Sequence, residues 1–457
     1  MPIKTLHITN CYHASSGGIR TFYRALLHAA NQRQREIRLV VPGPTNSVED
    51  LGKFARIYTI AAPASPFVDS TYRLLLPHLY ALPYRSSLRR IIEQERPDLV
   101  EVCDKYTLCF LPSVLRRGWI GSDSQAVLVG LSCERMDDNV SAFISSGSLG
   151  RRFSSWYMRN IYAPRFDCHI SNSRYTAAEL VDALVERPDL PVHVCPMGTD
   201  CENLGAHRRE QTKRMALVAS FLDQSSESEN TKLLLYVGRI SREKNISLLL
   251  EMMENLHDQT TTDYRLLIVG TGPLANWLEQ SAERRVPGHV RLLGHVADRE
   301  RLADIFANCD ALIHPNPREP FGIAPLEAMA SGLPVVAPIS GGVLSYANEQ
   351  NSWLAEPDGQ SFAISVRQVF QDESARRLKV GRAIDTAANF SWSRTTEHFF
   401  DLYDKLCVRF GNSAGEKHLP LYTAEPLHLP AVSKSTGIDN FLAGTKIGSY
   451  DSDKNTL

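Results

Sequence analysis

Short unbroken apolar runs alternate with stretches of helical spacing through most of the chain, and this rhythm constrains the fold more than any other feature. The first set comprises TLHIT (5–9), IRLVV (37–41), DLVEVC (98–103), AVLVGLS (126–132), CHISN (168–172) and VHVCP (192–196). The second comprises LLLYVG (233–238), RLLIVG (265–270), VRLLG (290–294), ALIHP (311–315) and PVVAP (334–338). Strands covered on both faces read as continuous apolar runs rather than alternating ones, and strands that alternate with helices build doubly wound parallel sheets. Two sets predict an α/β chain of two Rossmann-like domains. Ligands of such sheets bind outside the carboxyl ends of the strands, here in the cleft between the domains.

The domain boundaries follow the same rhythm. Residues 1–200 form the first domain and 232–392 the second, with a polar linker or loop over 201–231 whose DQSSESENT segment cannot supply a core. A last helix is expected over 393–410, with Phe399, Phe400, Tyr403 and Leu406 at helical spacing. Residues 411–457 hold no sustained period and read as a disordered tail. A formal charge of −1 offers no global attraction to nucleic acid or an anionic membrane, so none is expected with nucleic acid. The nine cysteines are dispersed without a C-x-x-C pair, which suits free thiols in a reducing compartment. The N-terminus lacks a signal-peptide order and no apolar run approaches the roughly 18 residues of a membrane span. The expectation is a cytoplasmic chain.

Four strand ends carry candidate ligand groups. Gly17 and Gly18 precede a helix after the first strand, where glycines admit a close backbone approach and the helix offers free N–H groups to an anion; a plain strand-to-helix turn has the same sequence. Arg239 and Lys244 flank a loop at another helix start, where cations oppose the macrodipole unless a polyanion lies between them or Glu243 pairs with them. Gly270-Thr271-Gly272 departs from the dinucleotide fingerprint, since a proline follows and no third glycine appears. His295 and Val296 follow a further strand and suit either a base pocket or a structural role. In LIHPNPREPFGIAPLEAMASGLPVV (312–336), Glu319 stands on a turn and Glu327 about one turn into a helix starting near Gly322 or Ile323, with Pro325 tolerated in its first turn. Carboxylates beside an anion site make sense for a ligand with hydroxyls on both sides of its phosphates, because a carboxylate accepts two bonds from a vicinal diol. A nucleotide sugar has that layout. Taken alone, Glu327 is also a favourable first-turn charge and Glu319 a solvated loop acid.

The block HPNPREPFGIAPLEAMASGLPVVAPISGGV, with YVGRISREKN, CPMGTD and the N-terminal glycine pair, resembles glycosyltransferase family 4, and the likeness runs in order over about residues 3–410. The resemblance implies a retaining transferase of GT-B fold. It assigns Glu319 to the donor sugar, Glu327 to the ribose, Arg239 and Lys244 to the diphosphate, and Gly17 and Gly18 to a loop that closes on the phosphates. Phe321, Gly322 and Ile323 complete the donor loop, and the last helix crosses back to the first domain. VEVCDKYTL and GLSCERMDD are similar to bacterial members that use GDP-mannose to mannosylate lipid-linked or saccharide acceptors. One departure stands out: Cys133 occupies the position where relatives carry a histidine beside the donor sugar, and a thiol cannot reproduce an imidazole.

These readings predict hexose transfer with retention, without cofactor or metal, with Glu319, Arg239, Lys244 and Cys133 around the reacting centre. The alternatives are a catalytically silent nucleotide-sugar-binding protein, for which Cys133 speaks, and a sugar-nucleotide epimerase or hydrolase. Residues 71–92 and 151–165 are basic and aromatic. Each suits either a peripheral contact with anionic lipid on the inner face of the membrane or an ordinary amphipathic helix packed in the domain.

Overall fold

In a computed structural model, residues 3–13, 17–65, 72–81, 86–118, 126–143, 148–221, 231–259 and 262–411 are described. The tail beyond Gly411 and the DQSSESENT segment up to Asn230 lie outside them, as do residues 71 and 82–85 of the basic 71–92 stretch. The first sheet contains β1 (Lys4–Thr9), β2 (Glu36–Gly43), β3 (Ser47–Asp50), β4 (Ala55–Ala61), β5 (Leu99–Cys103), β6 (Val127–Ser132), β7 (Cys168–Ser171) and β8 (Val192–Val194), in the order β3-β4-β2-β1-β5-β6-β7-β8. The second contains β9 (Lys232–Val237), β10 (Tyr264–Val269), β11 (Val290–Gly294), β12 (Ala311–Ile313), β13 (Val335–Pro338) and β14 (Trp353–Ala355), in the order β11-β10-β9-β12-β13-β14. Every pairing is parallel except β3 with β4.

Each apolar run is a strand. Three strands have no counterpart among the runs. β3 is short and fully exposed, β4 (ARIYTIA) breaks its apolar pattern with Arg56 and Thr59, and β14 is three residues long. In both sheets the order in which strands are added reverses across the middle. β1 lies between β2 and β5, with Thr5 beside Ile37 and Leu99. β9 lies between β10 and β12, with Leu234 beside Leu266 and Ala311. Crevices open at such switch points, so the loops after β1, β5, β9 and β12 frame the site.

The stretch read as a polar linker carries a helix, Gln211–Ala219. None of its side chains is fully buried, and Leu217 rests against the edge of the core. Arginines tether it: Arg209 and Arg214 both pair with Asp310, at 3.0 and 2.8 Å, and Arg214 donates to the carbonyls of Asn308 and Thr231.

The last helix, Trp392–Gly411, buries Phe399, Phe400, Tyr403 and Leu406 and lies on the first lobe. Phe399 packs on Phe22 at 4.7 Å between ring centroids, and Tyr403 Oη donates to the buried Glu101 at 2.6 Å. One apolar cluster runs unbroken from Phe22 and Leu26 through Met197 and Phe390 to Phe321 and Leu326, so the lobes share a core as well as keeping one each. All nine cysteines are unpaired, and Cys103, Cys109, Cys133, Cys168, Cys195 and Cys309 are buried. Among the described residues no helix is long and apolar enough to cross a membrane.

Candidate functional site

The two strands that flank the second switch point supply the charged groups. After β9 the chain makes a tight turn, Arg242–Lys244, closed by Asn245 in a left-handed conformation. After β12 it makes the 314–322 loop. Asn245 Nδ2 donates to the Pro315 carbonyl at 3.0 Å and ties the two loops together. Lys244 Nζ reaches Glu319 at 2.7 and 3.0 Å to the two carboxylate oxygens, and Asn316 Nδ2 adds a third bond at 3.1 Å.

Glu319 is 12% exposed. Burial alone would raise its carboxyl, but Lys244 and the bonds from Lys244 and Asn316 overcome that and bring it down to about 2. The neighbouring His314 goes the other way: burial, with Lys244 beside it, lowers the imidazole to about 4, so it is neutral at pH 7. Its Nε2 lies 3.8 Å from Glu319 and is buried without a hydrogen-bond partner among the described residues. The cation that keeps Glu319 ionised is therefore Lys244. Arg239 is exposed on the same turn, and its side chain makes no ion pair among the described residues, while its carbonyl is held by Tyr236 Oη at 2.9 Å.

Gly322 caps the Ile323–Ala330 helix at φ +84°, a conformation that favours glycine, and its carbonyl accepts from Tyr346 Oη. Glu327 stands on the fifth residue of this helix. Burial pushes its carboxyl up, against the pull of Arg299, whose Nη1 is 3.6 Å away. Arg299 also donates to Thr21 Oγ1 of the first lobe at 3.0 Å. Thr21 belongs to the Gly18–Arg33 helix, whose N-terminus meets the Ile323–Ala330 helix across the cleft. A Cβ on Gly18 would lie 3.1 Å from Ile323 Cδ1, whereas Gly17 has open space. Ser173 of the first lobe donates to the Pro320 carbonyl at 2.5 Å.

The remaining candidates are placed differently. His295 is exposed and Val296 buried after β11. Phe321 is buried against Tyr346 and Phe390, so its side chain anchors the loop to the core. Cys133 is buried just after β6, next to Cys103 at the end of β5, whose thiol is pushed up by its hydrogen bond with Cys133 and by burial. Gly270 and Gly272 have a packing role: a Cβ on either would strike the carbonyl of Gly238 or Ile240 in the adjoining loop.

Several residues of the site went unread in the sequence. His314 and Asn316 sit inside the quoted block, but nothing in their spacing marks them as partners of Glu319. Arg299 and Thr21 join only through folding. The glycine pair 341–342 follows β13 and has a readable signal: Gly342 donates to the Glu319 carbonyl at 2.6 Å, and a Cβ on it would lie 1.9 Å from the Pro320 oxygen. Among the described residues no group of three or more His, Cys, Asp or Glu is placed to hold a metal ion.

Two family models match the chain in succession, Glycosyltransferase Family 4 over residues 16–203 and Glycosyl transferases group 1 over residues 219–384. The chain belongs to glycosyltransferase family 4. It is a hexosyltransferase of GT-B fold. The GDP-mannose-dependent alpha-(1-6)-phosphatidylinositol dimannoside mannosyltransferase of Mycobacterium tuberculosis is 26% identical to this glycosyltransferase over 392 residues, 86% of this chain and 93% of that one. The D-inositol 3-phosphate glycosyltransferase of Stackebrandtia nassauensis is 31% identical over 255 residues, 52% of this chain and 54% of the relative. Among solved structures, sucrose-phosphate synthase from Thermosynechococcus elongatus superposes with a TM-score of 0.69 at 19% identity, covering 89% of this chain and all of that one. WaaG, a glycosyltransferase involved in lipopolysaccharide biosynthesis, gives 0.61 at 15% identity, with 87% and 99% covered. At such identities the structures bear on the fold alone.

Proposed function

We propose that this glycosyltransferase moves mannose from GDP-mannose, with retention, onto a hydroxyl of a lipid-linked or saccharide acceptor at the cytoplasmic face of the membrane. The observation that carries the reading is the Glu319–Lys244 pair at the second switch point, with Glu327 eight residues further on and the exposed Arg239 on the loop after β9, without an ion pair among the described residues. A buried ionised carboxylate held by an ammonium can accept from sugar hydroxyls on one side while the ammonium meets a phosphate on the other. Glu327 faces the opposite end of such a ligand and suits the ribose diol. The mannose and guanosine assignments rest on the GDP-mannose dependence of the mycobacterial relative.

In the reaction the bond from C1 of the sugar to the diphosphate oxygen breaks and its electron pair leaves with the diphosphate. Arg239, Lys244 and the N-terminus of the Ile323–Ala330 helix meet the charge that develops there, and no metal is needed in this scheme. The acceptor oxygen bonds to C1 from the face the diphosphate leaves, and its proton passes to a diphosphate oxygen. The contacts of Gly18 with Ile323 and of Ser173 with Pro320 join the lobes around the space from which water must be excluded.

Thermal unfolding with GDP, UDP and ADP, beside Glu327→Ala, tests the reading. GDP alone should stabilise the wild type, by about 2.7 kcal/mol at 100 times its Kd, and fail to stabilise the variant. Stabilisation by UDP or ADP instead would reassign the donor, and none by any of the three would overturn the site.

A further inference from the structure

Of the two basic, aromatic segments, the structure separates one from the other. In the first, Leu75, Tyr80, Leu88, Ile91 and Ile92 are buried, and the Ser87–Glu95 helix turns its apolar stripe into the core. In the second, the Ser148–Tyr157 helix is inverted. It buries Gly150 and Ser154, one turn apart, and Ser154 Oγ bonds back to the Gly150 carbonyl at 3.0 Å. Its large apolar residues face out: Leu149, Phe153 and Trp156 are 78%, 51% and 53% exposed. At spacings of four and three they form a single stripe.

On the protein side Tyr157 is the bulky anchor beside Gly150 and Ser154, donating to the Lys105 carbonyl at 2.8 Å, while three bulky apolar residues face solvent, the reverse of what a helix folded only for its own domain requires. The charges of the segment itself have one sign. Residues 148–165 contain Arg151, Arg152, Arg159 and Arg165 and no acid, and of these Arg159 pairs with Glu186 at 3.6 Å. Arg151 and Arg152 are exposed and make no ion pair among the described residues. A surface with aromatic and aliphatic tips among unneutralised arginines is complementary to an anionic lipid interface, where rings lodge at the headgroup level and arginines meet phosphates.

We propose that the exposed face of the Ser148–Tyr157 helix docks this glycosyltransferase on an anionic phospholipid surface through Leu149, Phe153 and Trp156, flanked by Arg151 and Arg152. The position suits the reaction. This helix packs on the Met136–Phe143 helix, which touches the Arg242–Lys244 turn across the cleft. Asn139 of that helix bonds Glu134, just after Cys133, at 2.9 Å. A lipid surface under the 148–157 helix therefore lies beside the cleft, and a lipid-linked acceptor would need to rise only a short way from it. The acceptor clause rests on the proposed function; the docking surface does not.

Flotation of the full chain with vesicles of phosphatidylglycerol and phosphatidylcholine in equal parts, and with phosphatidylcholine alone, tests it without donor or acceptor. The wild type should bind the anionic vesicles at low salt, lose binding as salt rises, and leave the neutral ones largely free. Phe153→Ser/Trp156→Ser should reduce partitioning at least about tenfold, and Arg151→Glu/Arg152→Glu should reduce it by roughly fivefold or more per charge. Both variants change exposed residues away from the donor loops, so nucleotide-induced thermal stabilisation should match the wild type. A wild type that ignores anionic vesicles, or variants that float as well as it does, would overturn the proposal. So would a wild-type dimer that Phe153→Ser/Trp156→Ser converts to a monomer, because the stripe would then be a self-association face. Failed flotation with an intact GDP shift sinks the docking surface alone; the converse sinks the donor assignment alone.

Discussion

Glu319→Gln should make the protein less stable and yet a better binder of the nucleoside diphosphate. In the free protein Lys244 is already committed to Glu319, at 2.7 and 3.0 Å. A phosphate oxygen accepting from the far side of the same ammonium would stand about 5.5 Å from the carboxylate, taking a further contact of about 2.8 Å. Two unit charges at that distance repel by about 1.5–3 kcal/mol for an effective dielectric between about 20 and 40. Removing the carboxylate charge frees Lys244 and removes the repulsion, so GDP should bind roughly 10- to 150-fold more tightly to the variant.

Stability moves the other way. The Glu319 carboxyl falls from its ordinary 4.5 to about 2 when folded, which corresponds to about 3 kcal/mol. A depressed acid contributes that stability above its unfolded pKa and loses it as pH falls from 4.5 through about 2. At pH 7 the variant lacks it, and the melting temperature of a lobe of this size should drop by about 6–12 °C. The gap between wild type and variant should narrow below pH 4.5. Titration calorimetry with GDP and thermal unfolding across pH, on the same two proteins, read both signs. Weaker or unchanged GDP binding in Glu319→Gln would refute the competition for Lys244.

Arg299→Gln should shift the pH dependence of donor binding. Glu327 is pushed up by burial and, more weakly, by Asp200, and is pulled back by Arg299, while Tyr346 is the other titratable group facing it. The carboxylate form binds the diol, so donor affinity rises as pH rises through this group. Without Arg299 the acid limb of the donor KM profile should move to higher pH, with KM at neutral pH up to about fivefold higher because the pair is exposed on the arginine side; an unmoved limb would show that Arg299 leaves Glu327 alone. Gly342→Ala should cost about 1–3 kcal/mol, since its Cβ meets the Pro320 and Glu319 carbonyls at 1.9 and 2.8 Å. A lowered melting temperature together with a lost GDP shift would tie this glycine to the donor loop, and a wild-type response would free it.

The parts of this chain legible in its sequence are those whose chemistry is local. Strands buried on both faces announce themselves as apolar runs, and the Ile323–Ala330 helix could be placed to within a residue from Gly322 and Pro325. Groups able to meet a diphosphate or a diol also cluster just past single strands, as Arg239 with Lys244 and Glu319 with Glu327 do. What stayed hidden lives in pairs. Lys244 and Glu319 are 75 residues apart, and only the adjacency of β9 and β12 brings one to neutralise the other. Arg299 reaches Glu327 and Thr21 for the same kind of reason, and Phe321 is anchored in the core by Tyr346 and Phe390. The two amphipathic helices make the point most sharply. The patterns Leu88-Ile91-Ile92 and Leu149-Phe153-Trp156 are both apolar stripes at helical spacing, yet one is covered and the other bare. The difference lies in Gly150 and Ser154, which let the second helix pack by its small side. An apolar stripe specifies that a face must be covered, but not by what. When the fold supplies no cover of its own, the stripe is a statement about a surface outside the chain.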